Sequence, residues 1–584
     1  MSDNAMIAPL RVANEAFLVS TMIERCPKTM MIRELVVNGL EAVEHAPAGQ
    51  RRVVIGSRPY GGVRKLCIWN TGPGMTAAEL LQITDLASSL RKTNSLEQNF
   101  GMGAKVASLP SNRHGLRYRS CTGGRVSEVM LGYREGTYGR LHIGPSNAEV
   151  MDATETCRAE ADYDLSIDWT EVLLLGLTAE QDTVTAPYAG SPKVAPDWMG
   201  AYLENRFFRI PGDVKLTLSP AVWGGAVPRD VIGLDDRRSQ FGRTETRTTP
   251  SGVKIHYFFD PPKGDSTLSA SGSIATSGSR GAIVFRGEMY DVRGGDAWLQ
   301  DAPVYGIPFG AKYCSAFVEL PDDYLVLPEA SRQFLRFRGS DQRQVYLADF
   351  SGLVRAYMPA WLAELIRSFG PSQANYIGEI SDELRALLAE LGVAPSAPGP
   401  GAPPVAAKPA AAKSVEAQTP AKPASADKAP PKPKPPVFER PPEIIGLRSA
   451  ELIKERALEG RAAKFYPQSH QIFINLTYPA VGEMAAALEL EHGETSHGEE
   501  AVRRIATEVA EWCLTKRISR ALVYSLSKKG LGWRPEDVNR GQSPESLSVV
   551  ADDWAGLMQM ARLRFQEALE LEFPKGDPLR SVAA

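Results

Sequence analysis

Apolar and polar residues along this chain follow two rhythms, and the change from one to the other marks the elements. Over residues 29–45 the apolar positions recur every third or fourth residue, which predicts a helix. Ile32, Leu35, Val36, Gly39, Leu40 and Val43 share one side of it, and Glu34, Asn38, Glu41 and His45 share the other. Alternation in RRVVIG and KLCIWN, and again around GLRYRS, VSEVMLGYR and WTEVLLLG, predicts strands bounded by Gly, Asp or Asn. Residues 76–90 read as helix or loop. A second strand-rich segment, about 200–345, holds VKLTLS, GVKIHYFF, GAIVFRGEMYDV and SAFVELPDD, interrupted at 262–280 by a Gly- and Ser-rich stretch expected to be a mobile loop. Helical periodicity returns over 346–392 and is expected to close the N-terminal body.

From 395 to 436 both rhythms vanish. The segment is dominated by Pro, Ala and Lys and has no aromatic residue, so it cannot bury enough surface to fold and reads as an extended linker. Beyond it, charged helical sequence at 448–464, a short strand in QIFINLTY and apolar spacing at 480–490, 498–526 and 549–571 predict a mainly helical module. The expected division is therefore 1–190, 200–392, the linker 395–436, and 437–584. It makes an α+β chain, since 584 residues are too many for one core.

Composition narrows the class. Hydrophobic residues make up 43% and charged residues 23%, the profile of a soluble globular protein. A net charge of -3 carries no global nucleic-acid signal, although a local basic groove remains compatible with it. Cys26, Cys67, Cys121, Cys157, Cys314 and Cys513 form no CxxC pair and read as free thiols of a reducing compartment. The start MSDNAMIAPLRV lacks a secretory pattern, and the apolar run VLLLGL is too short to span a bilayer. A cytoplasmic protein with no membrane partner is expected.

Three segments carry candidate chemistry. On the first helix, Glu34 is suited to deprotonate a water beside a bound nucleotide, and Asn38, one turn on, offers an amide oxygen to a hard cation such as Mg²⁺. After the strand LCIWN comes NTGPGM (70–75), where Gly72 and Gly74 let the backbone close tightly and Asn70 can hydrogen-bond a base. NFGMGAKVAS (99–108) follows, with Gly101 and Gly103 ahead of a helix-compatible run, a pattern suited to presenting backbone N–H groups to phosphate. Lys105 could add a positive charge there. This is neither a Walker A sequence nor a dinucleotide fingerprint.

In this order and spacing the three segments resemble the GHKL superfamily, which includes gyrase B, the ninety-kilodalton heat-shock chaperones, MutL-type and MORC proteins, and histidine kinases. ELVVNGLEA (34–42) looks like its N box, NTGPGM its first glycine box and NFGMGAKVA (99–107) its second. The resemblance covers residues 30–110 and implies a Bergerat-type α/β sandwich with helices over one face of a mixed sheet, which WTEVLLLG would complete. It implies Glu34 as general base and Asn38 as Mg²⁺ ligand. Glu41, Asn70, Gly72, Gly74, Met75, Lys92, Gly101, Met102, Gly103, Ala104 and Lys105 then become nucleotide-binding residues.

The chain departs from the family in Asn70, where aspartate is usual, and in Glu41, where many members have Asp. Between the glycine boxes lies the position of the family's ATP lid, here short and polar, with Arg91 and Lys92 as phosphate contacts or a solvated basic pair.

So short a stretch ahead of Glu34 disfavours a histidine kinase. The 200–345 segment looks like the transducer domain of the other branches, whose phosphate-reaching lysine falls on neither Lys263 nor Lys312 with any preference. A MORC-like or chaperone-like switch is favoured, hydrolysing ATP slowly with Mg²⁺ and associating with a second copy on nucleotide binding. DNA remains open as a partner through the linker lysines, a protein partner through the C-terminal module, and a degenerate nucleotide-binding interaction protein is the further alternative. His470, His492 and His497 with Glu491, Glu494, Glu499 and Glu500 read as a solvated helix entry more readily than as a metal site.

Overall fold

The computed structural model describes residues 13–85, 103–144, 147–160, 163–264, 266–272, 278–329, 332–339, 342–391, 394–395, 437–438, 441–492 and 498–573. Its architecture is mixed α/β, with an N-terminal α/β region, a strand-rich middle region and a mainly helical C-terminal module. Described residues within 1–273, 281–292 and 316–349 form one compact unit, and those within 274–280, 293–315 and 350–584 form another.

In the first unit, α1 (Glu15–Arg25), α2 (Met31–Val43), α3 (Ala77–Ile83) and α4 (Gly103–Ser108) accompany a nine-stranded sheet. Its strands are β1 (Arg52–Tyr60), β2 (Val63–Thr71), β3 (Leu116–Thr122), β4 (Arg125–Arg134), β5 (Thr137–Leu141), β6 (Val150–Asp152), β7 (Trp169–Leu174), β8 (Lys215–Leu218) and β9 (Arg229–Asp230). Their order is β5-β4-β3-β7-β2-β1-β8-β9, with β6 also on β4. The β1–β8 pair is parallel and the pairs β1–β2, β2–β7, β3–β7 and β3–β4 are antiparallel, so the sheet is mixed.

The period of two sorts each strand onto two faces. Leu66 and Ile68 of β2, Val172 and Leu174 of β7, and Leu116 of β3 pack in one core with Ile32, Leu35, Val36 and Val43 of α2 and with Ala104 and Val106 of α4. By alternation Asn70 and Thr170 belong to this helix-covered face. The opposite face carries Cys121 and Trp169, packed against Cys157 of α5 (Thr154–Ala159). Charged residues on that face are paired: Arg119 with Glu128 at 2.5 Å and Arg58 with Glu171 at 3.0 Å, while the Tyr163 hydroxyl donates to Glu171 at 2.7 Å. All six cysteines are free thiols, and all but Cys26 are buried.

The middle region builds a second sheet from β10 (Arg243–Thr248), β11 (Lys254–Phe259), β12 (Arg280–Phe285), β13 (Glu288–Gly294) and β14 (Cys314–Leu320), in the order β10-β11-β14-β12-β13. GAIVFRGEMYDV thus becomes a hairpin, turning at Arg286 and Gly287.

One helix departs from the sequence expectation. Residues 346–392 were expected to close the N-terminal body, yet Ile377, Ile380, Leu384, Leu387 and Leu388 of the helix Tyr376–Glu390 pack in one core with Val509, Leu522 and Val523 of the 29-residue helix Glu499–Ser527. An apolar stripe specifies that a helix must be covered but not by what, and linker composition says nothing about which side of the linker a helix joins. The same unit holds a three-stranded sheet, Glu443–Leu447, Gln471–Asn475 and Ala463–Tyr466 in that order, where sequence suggested one strand.

Leu384 is fully buried in this core. Leu384→Ala is expected to cost about 2–5 kcal/mol. Hydrogen exchange should accelerate in Glu499–Ser527 while β1, β2 and β3 keep their protection; faster exchange in the N-terminal strands alone would return the helix to the N-terminal body.

Candidate functional site

The helix α2 is packed more tightly than an amphipathic surface helix requires. Nine of its residues are buried, Arg33 and Glu34 among them, while Asn38 and His45 are exposed and Glu41 is half-buried. The side chains predicted to share the polar side of the helix are therefore not equivalent. Glu34 can be buried because the Arg33 Nη1 donates to its Oε1 at 2.5 Å, and charges are buried at tolerable cost only when paired. Arg33 in turn grips Glu288 on β13, donating from Nε to Oε2 at 2.7 Å and from Nη2 to Oε1. Arg206, at the end of α6 (Trp198–Arg206), donates from Nε to the same carboxylate at 2.8 Å. Burial alone would raise the Glu288 carboxyl, but Arg206 and Arg33 hold it down to about 2.

Against the other oxygen of Glu34 lies Gly103, the first residue of α4. A Cβ built there would stand 2.0 Å from Glu34 Oε2 and 2.9 Å from its Cδ. Gly103 is therefore the point at which the second glycine segment closes on the acidic residue of α2, and a side chain there would require the Glu34 carboxylate to move.

The first glycine turn meets the same helix further along. A Cβ on Gly72 would be 3.0 Å from the Ala42 carbonyl oxygen, and one on Gly39 would be 3.6 Å from Cβ of Asn70. Asn70, at the end of β2, is buried, and its Nδ2 donates to the Thr71 carbonyl at 2.9 Å. That bond occupies one amide donor where an aspartate would have none, and it orients the acceptor oxygen. Gly74 adopts φ +60°, and Met75 leads into the Thr76–Glu79 capping box that opens α3.

Three segments separated by some thirty residues each in sequence thus meet around α2. Segment identity alone missed two hydroxyl groups beside them. Thr170 is in register with Asn70 across the β2–β7 pair, and its Oγ1 lies 2.8 Å from the Ser120 hydroxyl on β3. The alternation of WTEVLLLG carried the signal, since it puts Thr170 on the face of Val172 and Leu174. Arg33 and Glu288 were also missed. Their signal was charged residues inside each of two apolar runs, MMIRELVV and GAIVFRGEMYDV.

Other expected site residues lie elsewhere. Ala104 is buried in the α2–α4 core. Lys105 is buried rather than open to a ligand: its ammonium donates to the carbonyls of Ile83, at 2.6 Å, and of Asp85, and burial brings its pKa down to about 8. Carbonyls left free at the end of α3 account for this, since a lysine can satisfy several at once. Glu41 lines a cleft of about 230 Å³ with Arg33, Arg286, Glu288, Tyr290 and Arg332, a cleft whose lining includes neither Asn70 nor Gly72. Lys92, Gly101 and Met102, together with Arg91, lie outside the described residues, as do Glu494 and His497. Of the two transducer lysines weighed, Lys312 pairs with Glu451 at 2.6 Å, and Lys263 is exposed.

The chain matches no family model and no curated protein sequence. The geometry around α2 therefore stands by itself. Among the described residues no group of three or more His, Cys, Asp or Glu side chains could hold a metal ion, and no helix is long and apolar enough to cross a membrane. A cation held by Asn38 and by phosphate oxygens would need no such cluster, because hard cations such as Mg²⁺ keep several waters and take few protein ligands. The exposed Asn38 amide, one helical turn from Glu34, fits that requirement.

Proposed function

We propose that the N-terminal region is a Bergerat-type nucleotide domain of the GHKL kind, binding ATP with Mg²⁺ and hydrolysing it slowly. The observation that carries this reading is the closure of Gly103 onto the Glu34 carboxylate, with Asn70 and Gly72 against the same helix. A general base needs a fixed position, and Arg33 and the helix backbone hold Glu34 in one. Asn70, with one NH₂ hydrogen committed to Thr71, and Thr170 beside it offer acceptor and donor groups to the edge of a purine. Bound Mg²⁺ would neutralise phosphate charge, and Asn38 is the side chain to hold it.

In the cycle we infer, nucleotide binding favours association of two copies and hydrolysis releases them, remodelling or clamping a macromolecular partner. Turnover would be limited by that rearrangement rather than by chemistry. A second reading follows from the Arg33 pair: one oxygen of Glu34 is engaged by a guanidinium and the other lies against Gly103, an arrangement that favours a nucleotide-operated switch that binds without appreciable turnover.

The test combines titration calorimetry of the full chain with ATP, with and without Mg²⁺, with phosphate release and solution mass, each with and without duplex DNA. Heat that depends on Mg²⁺, slow phosphate release and a nucleotide-dependent rise in mass are expected. Heat without phosphate release selects the second reading, stimulation by DNA selects a DNA clamp, and no heat with ATP under either condition ends the proposal.

A further inference from the structure

Glu34 is one corner of a four-member array of buried charge. Arg33 uses Nε and Nη2 on Glu288 and keeps Nη1 for Glu34; Arg206 places a second guanidinium on Glu288, Nη2 to Oε2 at 2.7 Å. Two positive and two negative groups make the array neutral, yet its members come from α2, α6 and β13, far apart in the chain. The hydroxyl-bearing ring of Tyr290 lies beside it, with the Arg206 guanidinium 4.5 Å from the ring centre. Such an array is costly to bury and contributes little stability over apolar packing of the same volume. What it does provide is a defined charge next to one carboxylate.

We propose that Glu288 is a positioning residue for Glu34, acting through Arg33. It fixes the guanidinium that orients the Glu34 carboxylate, and its negative charge compensates the positive charge placed beside that carboxylate. The proposal rests on the reading of Glu34 as general base. It adds that the strand-rich middle region, through β13, holds the candidate base of the nucleotide site in position.

The other groups near Glu34 leave this role to Arg33. From α4, Lys105 has its ammonium committed to the Ile83 and Asp85 carbonyls. From the end of α1, the half-buried Cys26 thiol is pushed up to about 11 by burial, with Glu34 and Glu329 adding to the shift, so it is neutral over the working range. The β1 and β2 residues facing α2 at Gly39 are Val53 and Asn70, both uncharged. Arg33 is the one cation in contact with the carboxylate among the described residues, and its own charge is compensated by Glu288.

The sign of the effect follows. Glu288→Gln leaves Arg33 and Arg206 with a net positive charge, which favours the ionised form of Glu34 and makes it a weaker base. Arg206→Gln removes a positive charge and acts in the opposite direction. The experiment measures MgATP affinity by calorimetry and the pH dependence of phosphate release for the wild-type chain, Glu288→Gln, Glu288→Asp and Arg206→Gln. For Glu288→Gln the acid limb of kcat is expected to move down by about one pH unit and the plateau to fall about fivefold, with affinity unchanged. Arg206→Gln should move the limb up, and Glu288→Asp should restore most of the wild-type profile.

If Glu288→Gln does not fold, the upward shift in Arg206→Gln decides by itself. Limbs that coincide with the wild type while wild-type turnover is normal overturn the positioning role alone. A wild-type chain that binds no MgATP, or binds it without turnover, overturns the general-base reading and this proposal with it.

Discussion

Replacing Glu34 by glutamine is expected to lower ATP turnover at least about 100-fold while MgATP affinity stays within about twofold of wild type. The substitution is nearly isosteric. The amide oxygen can still accept from Arg33 Nη1, and the amide nitrogen takes the position of Oε2 against Gly103. What disappears is the lone-pair basicity that a water-activating group requires, so the loss falls on kcat. The stability cost should be about 1–3 kcal/mol, because Arg33 keeps its two bonds to Glu288 and loses only part of its charge compensation. Single-turnover phosphate release with calorimetry on the same preparation separates the outcomes. Unchanged turnover with unchanged affinity would remove Glu34 as base and move water activation to another group, whereas lost affinity would mean the carboxylate holds the ligand or the fold.

Much of this site could be read from residue patterns, for a physical reason that also limits the reading. Glycines at 72, 74 and 103 announce close backbone approach, and a helix with Glu and Asn four apart announces a shared face. Neither announces which element makes the approach. Gly103 proves to meet a side-chain carboxylate and Gly74 a strand carbonyl, two kinds of neighbour that one residue type serves equally. The helical wheel grouped Glu34 with Asn38 and His45, which are exposed, because a wheel counts charge as polarity. The arginine preceding it, and a glutamate more than two hundred residues on, make its burial possible. Long-range pairing of that sort leaves only a weak local mark, a charge inside an apolar run, which several satisfied arrangements share. Lys105 illustrates the converse. A lysine beside a glycine turn reads as a phosphate ligand, but helix-end carbonyls compete for the same ammonium and hold it here. Strands β1 to β4 and β7 of the first sheet were legible because alternation directly encodes the two faces; the short β5, β6 and β9 carry too few residues for a clear alternation, and β8, read as part of the second strand-rich segment, pairs with β1 in the first sheet. The partner of Tyr376–Glu390 was not legible, since an apolar stripe does not name what covers it.

The largest loss of stability from a single methyl group is expected at Gly74. Its φ of +60° already disfavours any L side chain by about 1–2 kcal/mol. In addition, a Cβ there would stand 1.9 Å from the Cys121 carbonyl oxygen and 3.0 Å from Cβ of Thr122. Cys121 cannot yield easily, because β3 is paired on both sides, opposite Val126 of β4 and Trp169 of β7. The turn would have to leave the sheet, giving up the bond from the Thr122 hydroxyl to the Pro73 carbonyl. Gly74→Ala should therefore cost on the order of 4 kcal/mol. Gly49→Ala, at φ +82° with nothing within 4 Å of the added carbon, should cost only about 1 kcal/mol and serves as the control for backbone strain alone. Hydrogen exchange is the suitable measurement, since a chain with two compact units need not unfold in one step. Gly74→Ala should open β2, β3 and β7 while leaving Glu499–Ser527 protected, and MgATP affinity should fall with the displaced turn. Equal costs for the two variants would mean that the close approach to Cys121 relaxes freely, and the turn would then lose its claim to hold one wall of the site in a fixed position.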